Sequence, residues 1–168
     1  GTWAIGGWAW GGTDEKDAVA AIRAALDAGV NLIDTAPVYG FGLAEEIVGR
    51  ALAGRRDAAI IATKCGLVWD RAQGRLFFTE GTRQVYRFLG PESIRCEVEA
   101  SLRRLRTDYI DLYQTHWQDP TTPIARTMEC LCDIKKEGKI RAIGVSNVTL
   151  PDLDAYLAAG PVDSDQEL

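Results

Sequence analysis

The sequence is poor in the residues that mark metal-binding and disulfide-bonded proteins. Its 168 residues include one histidine, one methionine and four cysteines. The cysteines are too few and too irregularly spaced for a disulfide framework, and a Cys-x-Cys pair with a single histidine elsewhere lacks the ligand spacing of a zinc site. We therefore expect no metal. The cysteines concerned are Cys65, Cys96, Cys130 and Cys132.

Long apolar runs and basic clusters are also missing. No apolar run approaches the roughly 20 residues of a membrane-spanning helix, and the chain does not open like a secretory leader. Lysine and arginine are scattered and the formal net charge is −5, which disfavours nucleic acid and anionic membranes as partners. Hydrophobic residues make up 46% and charged residues 26%, as in ordinary globular chains. These features predict one cytoplasmic globular domain over residues 1–168.

Short apolar runs alternate with amphipathic helical patterns along the chain. Predicted strands cover residues 1–6, 31–35, 59–63, 109–115 and 140–145, and a sixth strand begins within 162–168. Predicted helices cover residues 14–28, 43–52, 91–105, 123–137 and 151–159, and most of them end close to a glycine. Such alternation, with strands that are almost continuously apolar, predicts a parallel sheet covered by helices.

A parallel sheet of this kind is either an open, doubly wound sheet or a barrel. An open dinucleotide-binding sheet carries Gly-x-Gly-x-x-Gly between its first strand and helix, whereas the same turn here reads GGWAWGGT (residues 6–13), which lacks that spacing.

Residues 65–89 then interrupt the alternation of strands and helices as a long loop between the third strand and the third helix. A loop of that length in a compact domain is usually functional or disordered.

Reactive side chains stand where the predicted strands end. In a β/α barrel these ends meet at one mouth, so that residues distant in sequence share a site. A cap, a surface lysine, a packed tyrosine or a buried histidine would explain each residue singly. The set as a whole favours a site in a barrel, because aspartate and lysine are rarely buried unless paired. The residues are Asp34, Tyr39, Lys64, His116, Ser146 and Asn147.

Four of these residues, Asp34, Tyr39, Lys64 and His116, suit proton donation to a carbonyl oxygen while a hydride is transferred to the carbonyl carbon. A phenol with an ordinary pKa of about 10 is a poor acid at neutral pH, so Tyr39 needs an adjacent ammonium to stabilise its phenolate. Lys64 can supply that ammonium, and Asp34 can balance its charge on burial. His116, neutral or protonated, would orient and polarise the carbonyl oxygen.

Four segments of the chain resemble the aldo-keto reductase family. They are GVNLIDTAPVYGFGLAEEIVG (residues 29–49), IIATKCG (60–66), YIDLYQTHW (109–117) and KEGKIRAIGVSN (136–147). The resemblance implies a parallel (β/α)8 TIM barrel. It also implies an oxidoreductase that uses a nicotinamide cofactor to reduce an aldehyde, ketone or sugar carbonyl to the alcohol, and catalyses the reverse reaction.

The family's residue roles carry over position by position. They make Tyr39 the general acid, Lys64 and Asp34 its tuning pair, and His116 the residue that orients the carbonyl. The resemblance further implies cofactor contacts by Thr2, Trp3, Asp34, Ser146, Asn147 and Gln166, and a substrate pocket walled by Trp3 and Trp117. For Trp8, Trp10 and Trp69 we expect packing or lid roles. NADP (NADPH) is the family's usual cofactor, and the sequence leaves NAD open.

A complete barrel has eight strands, whereas this chain supplies strands one to about six. It begins at Gly1 inside a strand-like run, and its one methionine is Met128. We therefore expect an incomplete barrel without the segment that clamps the adenosine in the family, and negligible turnover from these 168 residues alone. The oligomeric state and the carbonyl substrate stay open.

Two other functions compete with a reductase. One is a regulatory subunit of the same fold that binds the cofactor and turns over little, which an intact set of catalytic residues does not exclude. The other is a barrel of a different class, such as a sugar-phosphate isomerase. That class needs a phosphate site in late loops, which this chain does not contain.

Overall fold

The computed structural model of the chain describes residues 1–167. Five parallel strands form the main sheet, as expected for an incomplete (β/α)8 barrel. They are β1 Leu32–Asp34, β2 Ile60–Cys65, β6 Ile110–Thr115, β7 Ile140–Ser146 and β8 Ser164–Gln166, and they lie side by side in that order. The three strands between β2 and β6 in the chain form a separate sheet. The helices are α1 Glu15–Asp27, α2 Leu43–Ala51, α3 Pro91–Leu105, α4 Ile124–Lys136 and α5 Leu150–Ala159.

Local sequence signals explain where the helices begin. The Asp14 carboxylate accepts hydrogen bonds from the backbone N–H groups of Lys16 and Asp17, at 2.9 and 3.0 Å, and so caps α1. Thr149 and Asp152 form a reciprocal capping box at the start of α5. All five predicted helices are confirmed to within two residues at their ends. None of the helices in residues 1–167 is both long and apolar enough to cross a bilayer.

The core lies between the strands and the apolar faces of the helices. Ile61 and Ile143 on strands, and Ile47, Ile94 and Leu131 on helices, are fully buried. Burying each such side chain stabilises the fold by about 1.5–3 kcal/mol. This packing holds the strands in register, so that their carboxyl ends reach the same edge of the sheet.

The predicted strand at residues 1–6 is wrong. The chain there makes two short 3-10 turns, Trp3–Gly6 and Trp8–Trp10, and keeps one strand-like bond, from Thr2 N–H to the Asp34 carbonyl at 2.9 Å. Glycine explains the difference. Gly7 adopts a left-handed φ of 84°, which turns the chain out of an extended path. A Cβ on Gly6 would lie 2.7 Å from Gly40 N, so glycine also lets this segment pack against the loop after β1.

The prediction of a long loop at residues 65–89 is also wrong. These residues form a small antiparallel sheet of β3 Leu67–Val68, β4 Arg75–Glu80 and β5 Arg83–Arg87, in the order β3-β5-β4. Gly81, with a φ of 59°, opens the two-residue turn between β4 and β5. The stretch RLFFTEGTRQVYR already shows two β-prone runs around Gly-Thr, a hairpin pattern that the sequence reasoning missed.

A charged cluster ties the strands together at their amino-terminal ends, opposite the edge that carries the predicted site. Asp111 on β6 accepts hydrogen bonds from Arg56 at 2.6 Å, from the Ile61 N–H on β2 at 2.9 Å and from Arg141 on β7 at 3.1 Å. The Tyr109 ring lies under both guanidinium groups, whose carbons are 4.1 and 3.8 Å from its centroid. One carboxylate thus joins three neighbouring strands.

Candidate active site

A pocket of about 290 Å³ opens at the carboxyl ends of the strands. Most of the residues singled out in the sequence line it, although they come from separate strands and loops. Thr2 and Asp34 lie just behind the lining, Thr2 buried against β1 and Asp34 against Lys64. The predicted residues in the lining are Trp3, Tyr39, Lys64, His116, Trp117, Ser146, Asn147 and Gln166.

Lys64 and Asp34 form a buried ion pair beneath the pocket. Lys64 Nζ lies 2.6 Å from Asp34 Oδ1 and 3.1 Å from the Thr35 carbonyl oxygen, and its side chain is 2% exposed. Burial lowers the pKa of Lys64, and the Asp34 carboxylate opposes that effect. The pairing is the one that sequence reasoning expected, because an ammonium at this depth needs a carboxylate partner.

A second buried carboxylate lies close behind this pair. Glu45 on α2 is fully buried and accepts hydrogen bonds from Thr63 Oγ1 and from Arg104 Nε, each at 2.6 Å. Its negative charge helps Lys64 stay protonated, since it raises the lysine pKa against the effect of burial. Sequence reasoning did not single out Glu45, which lies at the edge of the apolar stripe of α2 and so gives no clear sign of a buried charge.

Tyr39 reaches the pocket from the tight loop after β1. Its ring centroid lies 5.4 Å from Lys64 Nζ, and 5.7 Å from the His116 ring in an edge-on arrangement. Gly40 permits this placement, because a Cβ there would lie 2.7 Å from the Gly6 carbonyl oxygen. Burial, with a smaller contribution from Asp34, raises the pKa of Tyr39 above its ordinary value. The phenol in this pocket is therefore a weaker acid than a free tyrosine, which is the opposite of the lowering by Lys64 that the sequence led us to expect.

His116 follows directly after β6 and faces the same pocket. Its backbone N–H donates to the Cys65 carbonyl at 2.9 Å, which extends the pairing of β6 with β2 by one residue. Burial and the nearby Lys64 charge lower the pKa of His116 to about 3. Sequence reasoning left the charge of this imidazole open, and the structure gives a neutral ring that has one N–H to donate.

Ser146, Asn147 and Gln166 form a polar wall on the other side of the pocket. Asn147 Nδ2 donates to the His116 carbonyl at 3.0 Å and to Ser146 Oγ at 2.9 Å, which leaves its Oδ1 as an acceptor. Gln166 Oε1 accepts a hydrogen bond from Gln114 at 3.0 Å, which leaves its Nε2 as a donor. Within residues 1–167 neither remaining atom has a protein partner.

This wall fits the carboxamide of a nicotinamide ring. A carboxamide offers one carbonyl acceptor and one N–H2 donor. The polar wall offers the complement, with a donor on Gln166 and an acceptor on Asn147.

No group of three or more metal-ligating side chains occurs in the described part of the chain.

Aromatic residues that sequence reasoning did not assign to the site also line the pocket. Phe77 and Phe78 on β4 line it, and Trp8 joins them from the second 3-10 turn. The Phe77 ring centroid lies 5.1 Å from that of Trp117, and Trp8 lies 6.1 Å from Phe78. Phe77 and Phe78 are consecutive on β4, and both reach the pocket because the register shift between Leu76 and Phe78 interrupts the alternation of sides, which the sequence did not show.

Comparison with known proteins gives close relatives. The aldo-keto reductase YhdN of Bacillus subtilis is 51% identical over 168 residues, which is 99% of this chain and 47% of the relative. The NADH-specific methylglyoxal reductase of Escherichia coli is 52% identical, over 97% of this chain and 52% of the relative. The solved structure of the glycerol dehydrogenase AKR11B4 from Gluconobacter oxydans is 50% identical and superposes with a TM-score of 0.86, over 99% of this chain and 49% of that one.

The chain thus spans about half the length of the relatives that it matches. A sequence model of the Aldo/keto reductase family matches residues 1–165, which is almost the whole chain. Together with the parallel half-barrel and the residues gathered at its mouth, this match establishes that the chain belongs to the aldo/keto reductase family.

Proposed function

We propose that this chain carries the catalytic residues of an oxidoreductase that reduces an aldehyde, ketone or sugar carbonyl to the alcohol, and catalyses the reverse reaction, with a nicotinamide dinucleotide. One observation carries the proposal. The ion pair of Lys64 and Asp34, at 2.6 Å, lies beneath a phenol and a neutral imidazole that face one pocket. These are the groups that the protonation of a carbonyl oxygen requires.

In this proposal Tyr39 gives its proton to the carbonyl oxygen and His116 donates a hydrogen bond to the same oxygen. Burial raises the pKa of Tyr39 and so makes the phenol a weaker acid, which means that proton transfer depends on Lys64 to stabilise the phenolate; the lowered pKa of His116 keeps the imidazole neutral. As the proton leaves, negative charge grows on the phenol oxygen. The Lys64 ammonium, 5.4 Å from the ring centroid, stabilises that charge, and Asp34 keeps Lys64 charged and in place.

The cofactor, when bound, supplies the hydride. Gln166 and Asn147 would hold its carboxamide through the donor and acceptor described above, with Ser146 beside them and Trp3 at the pocket mouth. The resemblance to the family favours NADPH, whereas one close relative is NADH-specific. The proposal therefore concerns only the nicotinamide half of the cofactor, and both NADPH and NADH should be assayed.

The aromatic wall indicates what kind of substrate enters. Phe77, Phe78 and Trp117 give the pocket a mostly apolar lining, and Lys64 is neutralised by its aspartate partner. The part of the lining that residues 1–167 supply thus offers no unpaired cation for a carboxylate or phosphate group. We propose small uncharged carbonyl compounds as substrates. Two relatives carry names that refer to methylglyoxal and to glycerol, which are small and uncharged.

Removal of the Tyr39 hydroxyl group tests the proposal. In the natural protein that carries this chain, Tyr39→Phe should lower kcat for aldehyde reduction by about 10²–10⁴-fold while leaving the Kd of the reduced cofactor unchanged. Tyr86→Phe is the matched control, since that hydroxyl binds Gln84 on the hairpin outside the pocket. Undiminished turnover in Tyr39→Phe would refute the acid assignment. Tight cofactor binding without turnover in the unchanged protein would favour the regulatory subunit instead.

A further inference from the structure

A buried glutamine that the proposed reaction does not use bridges two strands that are not neighbours. Gln114 on β6 is 1% exposed, and its Nε2 donates to Gln166 Oε1 on β8 at 3.0 Å. Strand β7 runs between them, with Gly144 in register with Gln114. Neighbouring strands lie about 4.8 Å apart, so this bond crosses a gap of two strand spacings inside the barrel.

Gly144 is what makes the crossing possible. Side chains at paired positions of a parallel sheet point to the same face, so a side chain at position 144 would stand in the path. A Cβ there would lie 2.7 Å from Gln114 Cγ and 2.9 Å from its Oε1. Gly144 has an ordinary backbone conformation, so its small size, and not a positive φ, is the property used here.

The surroundings also fix which way the Gln114 amide points. Its Oε1 has no hydrogen-bond partner in the described residues and lies 2.9 Å from the position that a Cβ on Gly144 would occupy, so it faces the backbone of β7. The reversed amide would place two N–H donors in that small space, and two unsatisfied donors cost more than one unsatisfied oxygen. Gln114 therefore presents its N–H group to Gln166.

We propose that Gln114 is a positioning residue that sets the orientation of the Gln166 amide. By donating to Gln166 Oε1, it turns the Gln166 N–H2 group toward the pocket, so that position 166 offers a donor to the carboxamide oxygen of a nicotinamide. This inference rests on the proposed function, because it gives the wall of that site its polarity. Without Gln114, the Gln166 amide can rotate and present its oxygen instead.

The test compares two ligands on the natural protein that carries this chain. NADPH or NADH, whichever the protein binds, and the ADP-ribose half of the same dinucleotide, which lacks nicotinamide, are titrated against tryptophan fluorescence. Gln114→Met keeps the size and apolar packing of the side chain but removes the donor. We expect the Kd of the whole cofactor to rise about three- to tenfold, with the Kd of the ADP-ribose half unchanged. Gly144→Ala, which displaces Gln114, should have the same effect.

A double-mutant cycle separates positioning from a merely structural role. If Gln114 acts through Gln166, then Gln114→Met should weaken cofactor binding no further once Gln166→Ala is present. Gln118→Met is the matched control, because Gln118 is hydrogen-bonded to Tyr156 and to the Asp119 backbone outside the pocket. The Kd of this variant for the whole cofactor should equal that of the wild-type protein.

Each contrary result overturns the inference in a recognisable way. Wild-type cofactor affinity in Gln114→Met, an equal loss for the ADP-ribose half, or additive losses in the cycle would each refute the role of Gln114 and leave the proposed function standing. If the unchanged protein bound neither dinucleotide, the proposed function and this inference would fail together.

Discussion

The half-buried carboxyl of Glu97 should make the stability of the fold fall as the pH rises through neutrality. Glu97 on α3 accepts hydrogen bonds from the Gly66 N–H at 2.8 Å and from Ser93 Oγ at 3.0 Å. Burial nevertheless outweighs these bonds and raises the pKa of Glu97 from an ordinary value of 4.5 to about 7. The folded chain therefore binds a proton at this site more tightly than the unfolded chain does.

The sign and size of the effect follow from proton linkage. A raised folded-state pKa contributes stability that is fully present below about pH 4.5 and is lost as the pH rises through about 7. Between pH 6 and pH 8.5 the loss from this one group is about 1 kcal/mol of unfolding free energy. His116 acts in the opposite direction over the same interval, since its lowered pKa destabilises the fold near pH 6 but not at pH 8.5. The contributions of Glu97 and His116 therefore partly offset each other in the wild-type chain.

Glu97→Gln isolates the contribution of the carboxyl group. The amide can accept from Gly66 and donate to Ser93, so the contacts are retained while the titration is removed. Urea unfolding at both pH values should show stability rising with pH in the variant, because the His116 contribution is no longer offset, and the change should differ from that of wild type by about 1 kcal/mol. Glu92→Gln, an exposed position on the same helix, should retain the wild-type behaviour. A variant whose pH dependence equals that of wild type would refute the burial argument.

Three further outcomes follow from the same structure. Between pH 8 and pH 5 His116 should cost the wild-type chain roughly 2 kcal/mol of unfolding free energy because its pKa is about 3 in the folded state, and His116→Gln should not show this loss. If urea titrations of the variant showed the same pH dependence as wild type, the neutral imidazole would be contradicted. Gly49→Ala should lower Tm, with about 1–3 kcal/mol or more of destabilisation, because its Cβ would lie 2.5 Å from the Arg104 carbonyl oxygen; a Tm equal to wild type would show that α2 and α3 can separate freely. Phe77→Ala should raise KM for an apolar aldehyde about tenfold with a smaller effect on kcat, because it removes the wall against Trp117; steady-state assays that show only a kcat loss would count against this placement.

The fold was predictable from the sequence wherever periodicity and polarity agreed. The α2 stripe of Leu43, Ile47 and Val48 gives a helix in the structure, and the β-branched run before Lys64 gives a strand. The convergence of Tyr39 and His116 on one pocket was predictable because parallel strands deliver their carboxyl ends to one edge. The chemistry assigned to them stays a proposal.

The two missed elements have separate physical causes. At residues 1–6 an apolar composition favours a strand, but composition does not show the left-handed φ of Gly7 or the close approach of Gly6 to Gly40. In the hairpin, the register shift between Leu76 and Phe78 interrupts the simple alternation that marks a strand. The Gln114 bridge was unpredictable for a different reason, since it needs the spatial order of β6, β7 and β8 rather than any local pattern.

The cluster around Asp111 has a consequence for how the protein can be altered. Because that carboxylate and its two arginines join β2, β6 and β7 at the end remote from the pocket, the strand register there does not depend on the side chains that would contact a substrate. Residues of the aromatic wall can therefore be exchanged to redirect selectivity while the scaffold keeps its geometry. Conversely, a chain weakened by such exchanges could be reinforced at the far end without disturbing its chemistry.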